Sequence, residues 1–158
     1  MSVLYSPIRD QTQEIQLHDL DKNSDEYRFV AGNFNKTVSC PVKLIQVVYN
    51  KKLWDNYFKQ ISKSNSSSVH EVFAFHGTRK NDPSLIYTHG LLKERTVGGL
   101  YFAANSNTSN GFLHKMVIPP FNNQIFMCRI LVPLSQVTSQ IHVIKNNLDH
   151  YPQYLISY

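Results

Sequence analysis

The chain has 158 residues, enough for one domain with a substantial core, and 42% of them are hydrophobic. That composition, with 12% aromatic residues, is typical of a globular protein and excludes a wholly disordered chain. The 16 Lys and Arg residues against 11 Asp and Glu residues leave a net charge of +5, which favours anionic partners such as dinucleotides, phosphorylated molecules or nucleic acid.

The sequence also predicts where the protein works. No apolar run approaches the roughly 20 residues that a membrane span requires, and residues 1–10 lack the apolar stretch of a secretory signal. Cys40 and Cys128 match no metal-ligand spacing, and neither do the histidines. We therefore expect an intracellular protein, cytoplasmic or nuclear, with reduced thiols, no membrane partner and no metal site.

The first part of the chain predicts a tail, then strand and helix. We expect a tail or an edge element over the polar residues 1–25, followed by one compact domain over 26–158. Residues 26–34 alternate aromatic and polar side chains and predict a strand or strand–turn. Residues 42–48 predict a buried strand, and residues 50–61 a helix whose aromatic stripe, including Trp54 and Tyr57, packs in the core. Lysines at 51, 52, 59 and 63 form either a basic binding face or, as we expect, a solvated surface.

The second part alternates short strands and helices. Residues 71–75 predict a strand, and Asp82 with Pro83 predicts the start of a helix that Gly90 ends. Leu100–Ala103 predicts another strand, and residues 107–116 a helix capped by a preceding Asn, Ser or Thr. Strands over 124–132, 141–144 and 154–158 complete the chain, so the pattern indicates an α+β domain rich in sheet.

Two strands end at residues suited to contact a ligand. His76 offers two ring nitrogens, Gly77 exposes its backbone without a Cβ, and Thr78 adds a hydroxyl. Tyr101 and Phe112 could hold a flat heterocycle by stacking, at about 1 kcal/mol for each face. A serine hydroxyl, that of Ser109, stands one helical turn before Phe112. Each motif alone is more often structural, but the combination in this order indicates a cleft for a nicotinamide nucleotide.

The motifs together resemble the catalytic domain of the poly(ADP-ribose) polymerase superfamily. They are Phe75-His76-Gly77-Thr78, Gly99-Leu100-Tyr101-Phe102-Ala103, Ser109-Asn110-Gly111-Phe112, residues 124–132 and Tyr151-Pro152-Gln153-Tyr154-Leu155-Ile156, with Lys52-Leu53-Trp54 and Tyr57 upstream. The resemblance covers residues 26–158. It implies the ADP-ribosyltransferase fold, in which two small, mainly antiparallel sheets flank an NAD cleft and a few short helices surround them.

The resemblance also implies a role for each motif residue, with NAD as co-substrate. His76 would hold the adenosine ribose, Gly77 would bind the nicotinamide amide through its backbone, and Thr78 would lie beside them. Tyr101 and Phe112 would stack on the nicotinamide ring. Ser109 would hydrogen-bond the carboxamide. Phe112 replaces the tyrosine usual in the family, which keeps the stacking face and removes the hydroxyl.

The third signature position of the family separates polymerising from single-transfer members. Counting back from Tyr154 places Ile141 where polymerising members carry a glutamate. Isoleucine cannot stabilise an oxocarbenium ion or engage an acceptor ribose, so the set His76, Tyr101 and Ile141 resembles that of mono-ADP-ribosyltransferases. Because neighbouring side chains on a strand face opposite sides, we expect His142 to point away from the cleft if Ile141 points into it.

We therefore expect a mono-ADP-ribosyltransferase that releases nicotinamide and modifies an acceptor, most simply a protein side chain. Two departures from the family bear on this expectation. The connection from the Thr78 helix to Gly99 is short, and only residues 133–140 separate two strands where relatives carry a longer acceptor-binding segment. A catalytically silent module that binds NAD, ADP-ribose or a protein partner is the alternative, and modification of nucleic-acid ends is a further one.

Overall fold

A seven-stranded sheet carries the fold in the computed structural model, which describes residues 14–64, 67–78, 81–92, 98–107 and 123–158. All neighbouring strands in it are antiparallel, in the order β1-β2-β7-β5-β3-β4-β6. The strands are β1 Ile15–Asp19, β2 Leu44–Asn50, β3 Val69–Gly77, β4 Leu100–Ala103, β5 Gln124–Pro133, β6 Ile141–Ile144 and β7 His150–Ser157. The helices are α1 Asp25–Asn35, α2 Lys51–Lys63 and α3 Pro83–His89, with a 3-10 turn at Leu134–Gln136.

This architecture confirms the α+β class, but the number of sheets differs from the prediction. The sequence resemblance implied two small sheets, whereas the strands form one. The two parts of the sheet meet at β3 and β4, which pair in the described residues through Phe75 and Ala103. By contrast, β3 pairs with β5 along nine positions, from Val69 to Gly77. The sheet is therefore continuous but narrow at the junction of β3 and β4.

Helix α1 corrects the prediction of a strand or strand–turn over residues 26–34. The side chain of Ser24 caps the helix by accepting a hydrogen bond from the Tyr27 N–H at 3.1 Å. Acidic residues in the first turn stabilise the helix, because their negative charges interact with the positive end of the helix dipole. Val30 and Phe34, four positions apart, are fully buried against the sheet. The alternation over residues 26–34 that suggested a strand therefore belongs to a helix, whose buried face includes Val30 and Phe34.

The last strand is longer than the predicted 154–158, because β7 begins at His150. Pro152, which lacks an N–H and disfavours the interior of a strand, hid the extension. Opposite Pro152 lies Cys128, where the pairing of β5 shifts by a bulge between Met127 and Cys128. The bulge breaks the regular ladder next to the proline, so the missing donor is accommodated.

Helix α2 forms as predicted, with an aromatic stripe in the core. Trp54 and Tyr57 are buried with Tyr151 and Leu131. The lysines at 51, 52, 59 and 63 are exposed, which fits both a solvated surface and a basic binding face. None of the helices in the part of the chain that the structure describes is both long and apolar enough to cross a membrane.

A buried ion pair joins β3 to β5 beneath α2. The Arg129 Nη1 lies 2.7 Å from Oε1 of Glu71, and their side chains are only 5% and 14% exposed. Arg129 also donates from Nε to Gln153 at 2.9 Å, and the Tyr57 hydroxyl donates to the second Glu71 oxygen at 2.8 Å. The guanidinium carbon lies 5.0 Å from the ring centroid of Phe73. Each charge is thus held by several partners, and removing one would leave the other buried.

Asn50 joins the start of α2 to the end of α3. Its side-chain oxygen accepts a hydrogen bond from the Leu53 N–H at 3.0 Å, which caps α2. Its amide nitrogen donates to the carbonyls of Tyr87 and Thr88 at 2.9 and 3.0 Å. One buried side chain therefore satisfies backbone groups at both helix ends.

The predicted limits of α3 are confirmed. Asp82 caps the helix by accepting from the Ser84 N–H at 2.8 Å, and Pro83 follows it. Gly90 ends the helix with a φ of 75°, a backbone conformation that favours glycine. The next residue, Leu91, donates its N–H to Nε2 of His150 at 3.0 Å.

We predict that Glu71→Gln lowers the free energy of unfolding by about 3 kcal/mol, since it leaves the Arg129 charge buried without its counter-ion. Denaturant unfolding of the purified variant measures the loss. The double substitution Arg129→Met with Glu71→Leu should recover most of it. Asp25→Asn is the matched control, because it breaks the exposed pair with Arg28 and should cost no more than about 1 kcal/mol. Equal losses for the buried and the exposed pair would contradict the prediction.

We also predict an acid-sensitive contribution from His150. Burial, aided by the charge of His76, lowers the pKa of His150 to about 3. The unfolded chain therefore binds a proton, near the ordinary pKa of about 6.5, that the folded chain does not. The free energy of unfolding should fall as the pH drops from about 6.5 towards 3, by at most about 1.4 kcal/mol for each pH unit.

The measurement is denaturant unfolding of the wild-type protein and of His150→Gln between pH 7 and pH 4. The variant should show the shallower pH dependence. His89→Gln serves as the control, because the exposed His89 side chain stays in water in both states. Parallel pH curves for the wild type and His150→Gln would show that His150 contributes nothing.

Candidate functional site

His76 lies at the end of β3, where β3 and β4 separate. Its Nδ1 is 2.8 Å from the backbone carbonyl oxygen of Tyr101 on β4. A carbonyl oxygen can only accept, so Nδ1 carries the proton and donates it. In the neutral ring, Nε2 is then the hydrogen-bond acceptor. The sheet thus selects one tautomer of this histidine and presents its other nitrogen as an acceptor.

The surrounding strands also orient the ring of His76. Phe75, the preceding residue, pairs with Ala103, which sets His76 opposite Phe102. The ring centroids of His76 and Phe102 are 5.5 Å apart. Phe102 is fully buried, so it provides a fixed wall. His76 is therefore held at its edge by a carbonyl and on its side by an aromatic ring.

Gly77 and Thr78 continue from His76 and are both buried. Gly77 is the last residue of β3 and pairs with Ile125 of β5. Thr78 is 1% exposed, and its carbonyl accepts from the Asn81 N–H at 3.0 Å. The motif predicted from the sequence therefore lies at the end of one well-supported strand.

Tyr101 is half-buried on β4, opposite Val143 of β6. Its hydroxyl oxygen lies so close to Gly98 that a Cβ at Gly98 would be 2.9 Å from it. A Cβ at Gly99 would lie 3.0 Å from the carbonyl oxygen of Ile144. Both glycines have positive φ, of 82° and 132°. Before Tyr101 the chain thus requires two glycines, one to admit the phenol and one to admit β6.

Ile141 lies on β6 next to the strand of Tyr101. It pairs with Ala103, two residues after Tyr101, and residues two apart on a strand share a face. The side chains of Ile141 and Tyr101 consequently lie on the same side of the β4–β6 pair. His142, the next residue, faces the other way and is buried opposite Phe102. Burial lowers the pKa of His142, which favours its neutral form.

The structure places part of the predicted set around the junction of β3 and β4. The His76 side chain bonds to the main chain of Tyr101, and Gly77 and Thr78 follow it in the chain. The side chains of Tyr101 and Ile141 lie on the face of β4 and β6 opposite to that of Phe102, whose ring contacts His76. Ser109, Phe112 and the predicted helix over 107–116 lie beyond Asn107, outside the described residues. Their roles in stacking on nicotinamide and holding its carboxamide therefore stay predictions.

A hydroxyl pair that the sequence did not indicate ties the chain after β4 to the end of α1. The Ser106 hydroxyl, 3% exposed, donates to the carbonyl of Phe34 and lies 3.0 Å from the Thr37 hydroxyl. Thr37 in turn accepts from the Asn107 N–H at 2.9 Å. Thr37 and Ser106 are 69 positions apart in the chain, so no local sequence pattern could reveal their contact.

The described residues contain no cluster of three or more His, Cys, Asp or Glu side chains that could hold a metal ion. Cys40 is exposed and Cys128 buried, and both are free thiols. The chemical groups that these residues offer are therefore an imidazole acceptor, a phenol and backbone groups at the junction of two internal strands of the sheet.

Comparison with known proteins agrees with the resemblance seen in the motifs. No family model matches the chain. The chain is 30% identical over 178 aligned positions to a probable poly(ADP-ribose) polymerase of Dictyostelium discoideum. The alignment covers 92% of this chain and 53% of that protein, so the chain spans about half the length of the curated relative it matches. This similarity supports a relationship to the poly(ADP-ribose) polymerase family.

Proposed function

We propose that the protein is an NAD-dependent mono-ADP-ribosyltransferase. The observation that supports this most directly is the hydrogen bond between Nδ1 of His76 and the Tyr101 carbonyl. It leaves Nε2 of the neutral ring as an acceptor suited to a ribose hydroxyl. The similarity to a probable poly(ADP-ribose) polymerase favours NAD as the molecule that carries this ribose.

In this proposal the protein holds both ends of NAD. His76 binds the adenosine ribose, and the backbone of Gly77 pairs with the nicotinamide amide, with Thr78 beside it. Tyr101 and Phe112 stack on the nicotinamide ring, and Ser109 bonds its carboxamide. Binding energy from these contacts fixes the ribose in a reactive conformation, which lowers the barrier to cleavage.

The proposed reaction breaks the bond between the nicotinamide nitrogen and C1″ of its ribose. The bond electrons leave with the ring, so neutral nicotinamide departs from an oxocarbenium-like transition state. A nucleophilic oxygen or nitrogen of the acceptor then bonds to C1″ and gives up its proton to water or to a base on the acceptor. We expect slow turnover, since the chain has an isoleucine where a carboxylate would assist.

Ile141 supports transfer of a single unit. It shares a face of the β4–β6 pair with Tyr101, so its side chain lies beside the residue proposed to stack on nicotinamide. A hydrocarbon side chain cannot accept a hydrogen bond from the hydroxyl of a second ADP-ribose. We therefore propose that the first product is not elongated.

A second candidate is a silent module that binds NAD or ADP-ribose without transfer. The observation that favours it is the short connection from β5 to β6, which runs from Leu134 to Gln140 and contains a single 3-10 turn. This leaves little chain to contact an acceptor. We rank this candidate second, because the chain retains His76, Tyr101 and Ser109 together, and a degenerate pocket would have little reason to keep all three.

We predict that His76→Ala reduces transfer of labelled ADP-ribose by about 100-fold or more, since it removes the acceptor for the ribose hydroxyl and the wall contact with Phe102. The assay incubates the protein with labelled NAD and reads self-modification and free nicotinamide. His89→Ala, at the exposed end of α3, is the matched control and should keep wild-type labelling. Undiminished labelling by His76→Ala would refute the assignment.

A further prediction separates the two candidates and identifies the acceptor. Calorimetric titration should show NAD binding to the wild-type protein, and mass spectrometry should show adducts of one ADP-ribose unit on each modified site. Parallel incubations with protein and with 5′-phosphorylated RNA, at stated salt, distinguish the acceptors. Binding without adducts or released nicotinamide would favour the silent module, and adducts of several units would contradict the role of Ile141.

A further inference from the structure

We propose that His150, the first residue of β7, is a positioning residue: a hydrogen bond from the end of α3 holds its ring, and the ring in turn holds the imidazole of His76 in place through Phe102. No motif of the family resemblance includes this residue. Its sequence context, Asp149-His150-Tyr151, gave no sign of a role, because the residues it contacts lie on other elements.

The first line of evidence is the aromatic contact. The ring centroid of His150 lies 5.9 Å from that of Phe102, and Phe102 lies 5.5 Å from His76. His150 is 5% exposed and Phe102 is fully buried. In a close-packed interior, a displaced ring shifts its neighbours instead of leaving a gap. The position of His150 is therefore transmitted to the wall against which His76 rests.

The second line of evidence is the bond to the end of α3. Leu91 donates its N–H to Nε2 of His150, while Asn50 binds the Tyr87 and Thr88 carbonyls one turn earlier. A Cβ at Gly90 would lie 3.7 Å from the same Nε2. His150 thus fixes the backbone at Leu91, where the chain leaves α3. It contacts both Phe102 and the backbone directly after α3.

The third line of evidence is the protonation state that this bond requires. Nε2 accepts the Leu91 N–H, so the neutral ring carries its proton on Nδ1. Among the described residues, that Nδ1 has no hydrogen-bond partner. Burial lowers the pKa of His150, which favours the uncharged form, and a proton on His76 would lower it further. Ile130 of β5, which pairs with His150, belongs to the same apolar core cluster as Phe102. His150 therefore acts as a neutral acceptor of fixed tautomer.

A purely structural role would be satisfied by any side chain that fills the space. The proposal instead requires an acceptor for the Leu91 N–H. His150→Leu keeps apolar volume and removes the acceptor, whereas His150→Gln offers an amide oxygen in its place. Val30→Ala is the matched control for lost stability, since Val30, a residue of α1, is fully buried in a different core cluster.

The test is nitrogen-15 NMR of the histidine side chains in the full chain at pH 7, without any ligand. In the wild type, the neutral rings of His76 and of His150 should both carry the proton on Nδ1. In His150→Leu, the nitrogen shifts of His76 should move towards a mixture of tautomers, and His150→Gln should largely restore them. Val30→Ala should leave them unchanged. Among these variants, only His150→Leu should show faster hydrogen exchange of the Leu91 amide than the wild type.

Three results would overturn the proposal. One is a wild-type His150 that carries its proton on Nε2, because that nitrogen could not then accept from the Leu91 N–H. This result can be observed without any variant. The second is an unchanged His76 spectrum in His150→Leu. The third is an equal change in Val30→Ala.

A final measurement rests on the proposed function. The affinity for NAD should fall about tenfold in His150→Leu and less than about threefold in His150→Gln, as expected for one weakened hydrogen bond at His76. Equal losses in the two variants would contradict a role for the acceptor. If the wild type bound no NAD while the NMR coupling between His150 and His76 were present, the proposed function would fail and the positioning role would stand.

Discussion

The narrow junction between β3 and β4 is the constraint on which the candidate site depends. The two strands pair through Phe75 and Ala103, and just beyond this pair His76 donates to the carbonyl of Tyr101. A side chain thereby replaces the ladder bonds that regular strands would make. Because the pairing of these two strands is so short, the candidate site lies within the sheet and not at its edge strands. The same bond selects the tautomer of His76, so architecture and chemistry are set by one contact.

The rest of the fold stiffens the two sides of this junction. On β3, the ion pair of Glu71 with Arg129 joins the strand to β5 within a buried network. On β4, the glycines at 98 and 99 admit the phenol of Tyr101 and the close approach of β6. Hydroxyl contacts of Ser106 and Thr37 then bind the chain after β4 to α1. Glu71, Gly98, Ser106 and Thr37 lie outside the motifs, yet each limits where the motif residues can be.

Sequence reasoning succeeded where the physical signal is local. The cap at Asp82, the glycine ending α3 and the helical stripe of α2 are short-range patterns, and the structure confirms them. It failed at α1, because a stripe of aromatic residues can mimic strand alternation over a few positions. It also shortened β7, because Pro152 is a poor strand residue unless a bulge lies opposite it. Both errors arose because the local structure depends on contacts with the neighbouring strand or with the sheet, whose residues are distant in the sequence.

For the candidate site, the sequence by itself determined which residue types are available: an imidazole, a glycine and a threonine after one strand, a tyrosine within another, and an isoleucine where a carboxylate is absent. These follow from motif order and spacing. Only the tertiary structure decided that His76 bonds to a carbonyl 25 residues away, and that His150 lies behind it against Phe102. Tautomer, ring orientation and burial depend on contacts between distant segments, and a linear pattern carries no information about such contacts.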